Sequence, residues 1–264
     1  MKVAVGDIPG HPGTQQYGNQ RSAGNMGKKE TADIREYYDG YVGRQVNAGV
    51  NERHHRIRDL TVLHGLRDGM NVLEIGCGVG TLTGLLLKEI PGGRLTATDL
   101  SPASVDQARM RLGERSNLVL VAGDSTVKVP EGPFDMIILP DVLEHIPFER
   151  QPFLFDQIKK QLAVTGRVVI HSPDPFYCEW LEHNRPELLQ VVDLPLHLPG
   201  LATEIDRAGL AILHFQRHSI WMDQPDYMAL ALAHKPSGAY RTQPQRKATI
   251  VDRARHKIKA ILTR

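Results

Sequence analysis

The sequence predicts an α/β fold: a doubly wound, mostly parallel seven-stranded sheet with helices on both faces, an antiparallel edge strand and an N-terminal helical cover. Three observations lead there. Short apolar runs alternate with helical periodicity from Val72 to His171, and each parallel connection needs a crossover. Glycine and proline close the runs, as at Pro91-Gly92-Gly93. The last two apolar runs are joined by a loop alone, which suggests an antiparallel pair at the sheet edge.

The elements follow in order. Residues 1–28 combine six glycines with Pro9, Pro12 and several Gln and Asn, a composition that cannot offset the entropy of ordering, and read as a flexible arm. The domain is expected over 29–235. Its cover, 29–68, shows helical spacing at Ile34, Tyr37, Tyr38 and Tyr41, then at Ile57, Leu60, Leu63 and Leu66. Strands are expected at Val72–Ile75, Leu95–Thr98, Leu118–Val121, Phe134–Leu139 and Arg167–His171, with helices over Thr81–Ile90, Pro102–Leu112 and Arg150–Leu162. Residues 173–201 form an insertion carrying Phe176, Tyr177, Trp180, Leu181, Leu188 and Leu189, which suits either a roof over an acceptor pocket or a dimer contact and core. A helix at Thr203–Ala208 and strands at Ala211–Phe215 and Tyr227–Ala233 complete the sheet.

At 264 residues, 41% hydrophobic and 23% charged, the chain can bury one large core. No apolar run is long enough to span a membrane, and no secretory signal pattern opens the sequence. Two cysteines, Cys77 and Cys178, are too few for a disulfide scaffold, so a reducing cytoplasm is expected. The net charge of +2 is uneven: residues 236–264 carry +7 and the remainder −5. Ile250, Val251, Ala254, Ile258, Ile261 and Leu262 fall at helical spacing opposite Arg253, Arg255, Lys257 and Lys259. That pattern makes a basic amphipathic tail, and residues 241–264 are open to peripheral membrane contact, to nucleic-acid binding, to packing on the domain or to disorder.

The chemistry centres on Val72-Leu73-Glu74-Ile75-Gly76-Cys77-Gly78-Val79-Gly80. Open parallel sheets bind ligands beyond the carboxyl ends of their strands, where glycines allow close backbone approach and the next helix offers free N–H groups. A dinucleotide turn requires G-x-G-x-x-G, but the sixth position here is Thr81 and the third glycine arrives one residue early. Glu74 suits a cation, such as a sulfonium, better than a polyphosphate.

This segment resembles the first motif, E-x-G-x-G-x-G, of the Rossmann-like (class I) S-adenosylmethionine-dependent methyltransferases. Asp99 lies 23 residues beyond Gly76, Gly123-Asp124-Ser125 follows the third strand, Phe134 to Leu139 matches the fourth, and Leu143-Glu144-His145-Ile146-Pro147 resembles the L-E-H-[IV]-P segment of small-molecule enzymes, including those of ubiquinone biosynthesis. The resemblance covers about residues 50–235. It implies S-adenosylmethionine as cofactor, with contacts from Glu74, Gly76, Cys77, Gly78, Gly80, Asp99, Leu100, Gly123, Asp124, Ser125, Leu139 and Tyr38. Asp99 would take the ribose hydroxyls and Asp124 the adenine amino group, while Cys77 would serve through its small size and backbone. His145, and His171 as competitor, are the expected general bases if the acceptor is a hydroxyl. His54 and His55 on the cover are further candidates to face the cofactor.

The resemblance implies methyl transfer to an oxygen or nitrogen of a small-molecule, sugar or lipid-linked acceptor. Macromolecule methylation and a non-catalytic cofactor-binding regulator are the alternatives, and a homodimer is compatible. Nucleic acid is disfavoured: the D/N-P-P-[YF] segment of base-amine enzymes is replaced by Leu139-Pro140-Asp141-Val142, no Pro-Cys pair is present, and the body is acidic. No ligand spacing indicates a metal.

Overall fold

The computed structural model describes residues 31–190, 192–236 and 238. The arm over 1–28 and the amphipathic run of the tail lie outside the described residues. Element order is α1 (Thr31–Ala48), α2 (Glu52–Leu63), β1 (Asn71–Ile75), α3 (Thr81–Glu89), β2 (Arg94–Asp99), α4 (Pro102–Leu112), β3 (Leu118–Ala122), β4 (Phe134–Pro140), α5 (Gln151–Gln161), β5 (Leu162–Pro173), α6 (Pro175–Asn184), α7 (Leu198–Arg207), β6 (Leu210–His218) and β7 (Tyr227–His234).

The seven strands form one sheet in the order β3-β2-β1-β4-β5-β7-β6. All neighbours are parallel except at β7, which runs against both β5 and β6. The reversal therefore falls one strand in from the edge. From β1 the chain moves outward through β2 and β3, then returns to lay β4 on the other side of β1. This switch opens a crevice at the carboxyl ends of the strands.

Strand periodicity builds two cores. Leu73, Ile137, Leu139 and Ile170 face Phe155 and Ile158 of α5 on one side, while Val72, Met136, Ile138 and Val169 face Ile57 of α2 and Leu86 of α3 on the other. Successive residues of one strand point to opposite faces, so near-continuous apolar runs are required. Helix starts are capped from the sequence. Ser101 accepts from the Ser104 N–H (3.0 Å) ahead of Pro102, and Asp174 accepts from the Phe176 N–H (3.0 Å) ahead of Pro175. The Ser101 hydroxyl also bonds Asp39 and so ties α1 onto the domain.

Three elements differ from expectation. Helix α6 occupies part of the insertion, to which the sequence reading assigns no element. Helix α7 begins at Leu198 rather than Thr203. Strand β5 starts at Leu162 rather than Arg167, through an irregular register opposite Phe134 and Met136. Gly166 reads as a strand boundary, yet it lies within the strand: a Cβ there would sit 2.9 Å from the carbonyl oxygens of Ala163 and Phe134, so only glycine fits the bulge.

Phe155 is fully buried between α5 and the sheet. Truncating it by Phe155→Ala is expected to lower the unfolding free energy by about 3–5 kcal/mol. In urea titration the midpoint should fall at unchanged slope; a loss below about 1 kcal/mol would contradict this packing.

Candidate active site

The site starts where β1 ends. Gly76 has φ +84°, and a Cβ there would lie 2.0 Å from Val142 Cγ2 in the chain after β4. Side chains are excluded twice over, by conformation and by space. The N–H groups of Gly76 and Cys77 both donate to the Thr98 carbonyl at 2.7 and 2.9 Å. One residue further on, Asp99 holds the turn: Oδ2 accepts from the Gly78 N–H at 2.8 Å and Oδ1 from the Ser101 N–H at 2.9 Å.

A cavity of about 260 Å³ opens above this turn. Tyr38, Glu74, Gly76, Cys77, Gly78, Asp99, Leu100, Gly123, Asp124, Ser125 and His145 all line it. Three predicted site residues do not. Gly80 starts α3 and packs against Ala108 and Leu112 of α4. Leu139 points into the core. His171 is fully buried behind Asp141, bonded to that carboxylate through Nδ1 and 3.2 Å from His218 Nε2 through Nε2. Of the two cover histidines, His54 lines the cavity and His55 is exposed.

The insertion was open to two readings, a roof over an acceptor pocket or a dimer contact and core. Phe176 lies under Arg217, whose guanidinium carbon is 5.0 Å from the ring centre, and Tyr177 stacks with Trp180. None of the six large apolar residues named above borders the cavity; the segment contributes Gln190 instead.

Several wall residues carry no local sequence signal: Arg53 at the start of α2, Asp141 after β4, and Trp221 and Tyr227 from the β6–β7 hairpin. Asp141 adopts φ +54°, unusual for a non-glycine residue and better tolerated by Asp than most. Its Oδ2 meets Arg53 Nη1 at 2.8 Å while Oδ1 binds His171.

The electrostatics divide the cavity. On the β1–β2–β3 side, Glu74 Oε2 accepts from the Thr83 hydroxyl at 2.7 Å, and Oε1 is buried without a hydrogen-bond partner among the described residues. Burial pushes this carboxyl up to about 7, with Asp99 adding to the rise and the Thr83 bond opposing it. Burial also raises Asp99 against its two backbone N–H donors, and pushes the Cys77 thiol up, which leaves it protonated and unreactive. Asp124 Oδ1 takes the Thr126 N–H and hydroxyl at 2.8 and 2.6 Å, and Oδ2 lies 3.6 Å from Arg150 Nη1.

On the β4–β5–β7 side, burial would raise Asp141, but His171 and Arg53 overcome it and hold the carboxyl well below the usual range. Burial would lower His145, yet Glu144, Asp193 and the Val192 carbonyl outweigh it and raise the imidazole above its ordinary value. Nδ1 of His145 is 2.5 Å from the Val192 oxygen and 3.1 Å from Asp193 Oδ1. The expected near-neutral base is thus held toward its protonated form. Its ring centre lies 5.8 Å from that of Tyr38.

The sheet order, the switch-point crevice and the glycine turn make an open, mostly parallel α/β fold with a ligand cavity at its switch point. Residues 73–168 match a protein-family model described as a methyltransferase domain. Among curated relatives, a malonyl-[acyl-carrier protein] O-methyltransferase of Ilyobacter polytropus is 31% identical over 110 residues, 42% of this chain and 40% of that protein. A trans-aconitate 2-methyltransferase of an Enterobacter species is 31% identical over 125 residues, 47% of each chain. The matched stretches thus span less than half of each of these relatives. Among solved structures, magnesium protoporphyrin IX methyltransferase from Synechocystis superposes with a TM-score of 0.61 at 17% identity, covering 78% of this chain and 99% of that one. The N-methyltransferase NodS from Bradyrhizobium japonicum gives 0.56 at 22%, covering 70% and 96%. These identities speak for the fold.

Glu74 yields a pH prediction. Its folded carboxyl titrates near 7 against an ordinary 4.5, so between those values the native state holds the extra proton and stability falls as pH rises. Glu74→Gln removes this loss. The variant should gain on wild type by an amount on the order of 3 kcal/mol between about pH 4.5 and 8, read by urea unfolding without ligand. A pH-independent difference would refute the burial argument.

Proposed function

We propose that the chain transfers a methyl group from S-adenosylmethionine to a small-molecule acceptor, with oxygen the leading acceptor atom and nitrogen the alternative. The observation that carries this is Asp99 at the cavity floor, fixed by two backbone N–H groups beside a glycine turn, with the unpartnered Glu74 Oε1 on the same wall. Each Asp99 oxygen keeps a lone pair for a vicinal diol such as a ribose. Glu74 Oε1 offers a buried anion site to a cationic group. The Gly76–Gly78 backbone permits close approach, Asp124 and Ser125 stand where an adenine would end, and Tyr38 closes the cavity from α1.

S-adenosylmethionine, when bound, supplies a methyl group made electrophilic by its sulfonium. The remaining work belongs to the chain: to seat the acceptor within reach and in line, and to exclude water. Arg53, His54, Asp141, His145, Trp221 and Tyr227 line the half of the cavity across the switch point and fall to the acceptor. An enzyme fits this wall better than a non-catalytic binder, because a second set of polar groups converges opposite the donor half.

No described helix is long and apolar enough to cross a membrane. The proposal places the protein in the cytoplasm, with peripheral membrane contact through 241–264 as its finer form. Loss of liposome pelleting on removal of those residues would support that contact, and unchanged pelleting would end it. Self-association into a homodimer is part of the same finer reading and is read by sedimentation.

Calorimetry with S-adenosylmethionine and S-adenosylhomocysteine tests the donor reading. Wild type should take up both, and Asp99→Asn, which sets an amide NH2 against one of the two backbone N–H donors, should bind about 10-fold or more weakly with a lowered melting temperature. No uptake by wild type would overturn the proposal.

A further inference from the structure

Accepting the methyl-transfer reading, we propose that the reacting group of the acceptor is a carboxylate, already anionic, drawn to Arg53 on the β4–β5–β7 side of the cavity, so that the product is a methyl ester. The basis is where protons and lone pairs stand in that half of the site. A hydroxyl or phenol must lose its proton, which calls for a base with a lone pair facing the acceptor. Each candidate base is engaged elsewhere.

His171 lies outside the cavity wall, its two nitrogens taken by Asp141 and His218. His54 lines the wall, but its Nδ1 accepts the Asn51 N–H at 3.2 Å as the cap of α2. In the neutral ring that leaves Nε2 as an N–H donor. His145 has Nδ1 against the Val192 carbonyl and Asp193, and Nε2 3.3 Å from Gln190 Nε2 and 3.7 Å from Glu144 Oε1. With Nδ1 held by the Val192 carbonyl and Asp193 and Nε2 facing the Gln190 amide nitrogen, neither ring nitrogen is left for the acceptor's proton. Asp141 spends its oxygens on Arg53 and His171. The acceptor side therefore presents donors and a fixed cation.

Arg53 is set for recognition rather than left to find its place. Asp141 orients the guanidinium at 2.8 Å and is itself braced by the buried His171, so the cation is positioned before any ligand arrives. A carboxylate fits such a wall with charge-assisted bonds. It also fits the reaction. A carboxylate lone pair forms the new C–O bond while the methyl C–S bond breaks and its electron pair passes to sulfur. One anion and one cation disappear together, no proton moves, and a cavity drier than water favours that annihilation of charge.

The test uses the full chain with tritiated-methyl S-adenosylmethionine, offered small mono-, di- and tricarboxylic acids beside catechols, sugars and amines, and a small-molecule cell extract. Products are treated with mild alkali, which releases methanol from methyl esters and leaves ethers and N-methyl groups intact. With S-adenosylmethionine saturating, most of the transferred label should become volatile, at a rate that is flat over about pH 6 to 8 because no base is titrated. Arg53→Gln should raise the acceptor KM about 10-fold or more while S-adenosylmethionine affinity stays within about twofold, which separates recognition from misfolding. Alkali-stable label overturns the inference, as does donor uptake without transfer to any carboxylate. Absence of donor uptake in calorimetry would instead defeat the underlying methyl-transfer reading.

Discussion

The site depends on one constraint: the chain must turn sharply after β1 without filling the space above the sheet. Thr98 and Asp99, at the end of the neighbouring strand, meet that constraint by accepting four N–H groups, those of Gly76, Cys77, Gly78 and Ser101. A buried backbone N–H left without an acceptor is costly, so the turn and the second strand stabilise one another. Gly76 carries the coupling further, because Val142 packs where its side chain would be. The two halves of the cavity thereby meet at a contact with no slack, and the floor of one sets the position of the wall of the other.

How much of this was legible follows from how local each determinant is. Strand and helix alternation survives in sequence because parallel strands buried on both faces must be apolar throughout, and caps such as Ser101 before Pro102 mark helix starts. Helix α6 was missed although Asp174 and Pro175 mark its start in the same way, because its apolar residues were weighed only as a roof or as a dimer contact and core. The β1–β2–β3 side of the cavity was readable for the same local reason: Glu74, the glycines, Asp99 and Asp124 sit within a few residues of strand ends. The β4–β5–β7 side was not. Arg53, Asp141, Gln190 and Tyr227 come from segments far apart in the chain, and no short motif records that they converge.

His145 shows the difference between finding a residue and knowing its state. Its place after the fourth strand was visible in the Leu-Glu-His-Ile-Pro segment, and the residue does line the cavity. Its ordinary titration near neutrality suggested a base. What fixes its charge is Asp193 and the Val192 carbonyl from the loop ahead of α7, together with its own neighbour Glu144. A charge state is a property of the assembled site, and spacing along the chain does not encode it.

The column from Arg53 through Asp141 and His171 to His218 raises a question of cost. Taking charged groups out of water is unfavourable, and a buried ion pair is often no more stabilising than apolar residues of the same size. Here His171 is wholly buried, the Asp141 side chain is 9% exposed and Asp141 holds a left-handed backbone. For stability alone, a buried apolar pair on ordinary backbone would serve as well. The arrangement does something apolar packing cannot: it places a guanidinium at a set point on the cavity wall and keeps the compensating carboxylate saturated, so that this carboxylate does not compete as a base. The same contacts that saturate Asp141 hold the Arg53 guanidinium in place. Strain and burial at the end of β4 are thus best understood as the cost of a fixed charge pattern facing the β1–β2–β3 side.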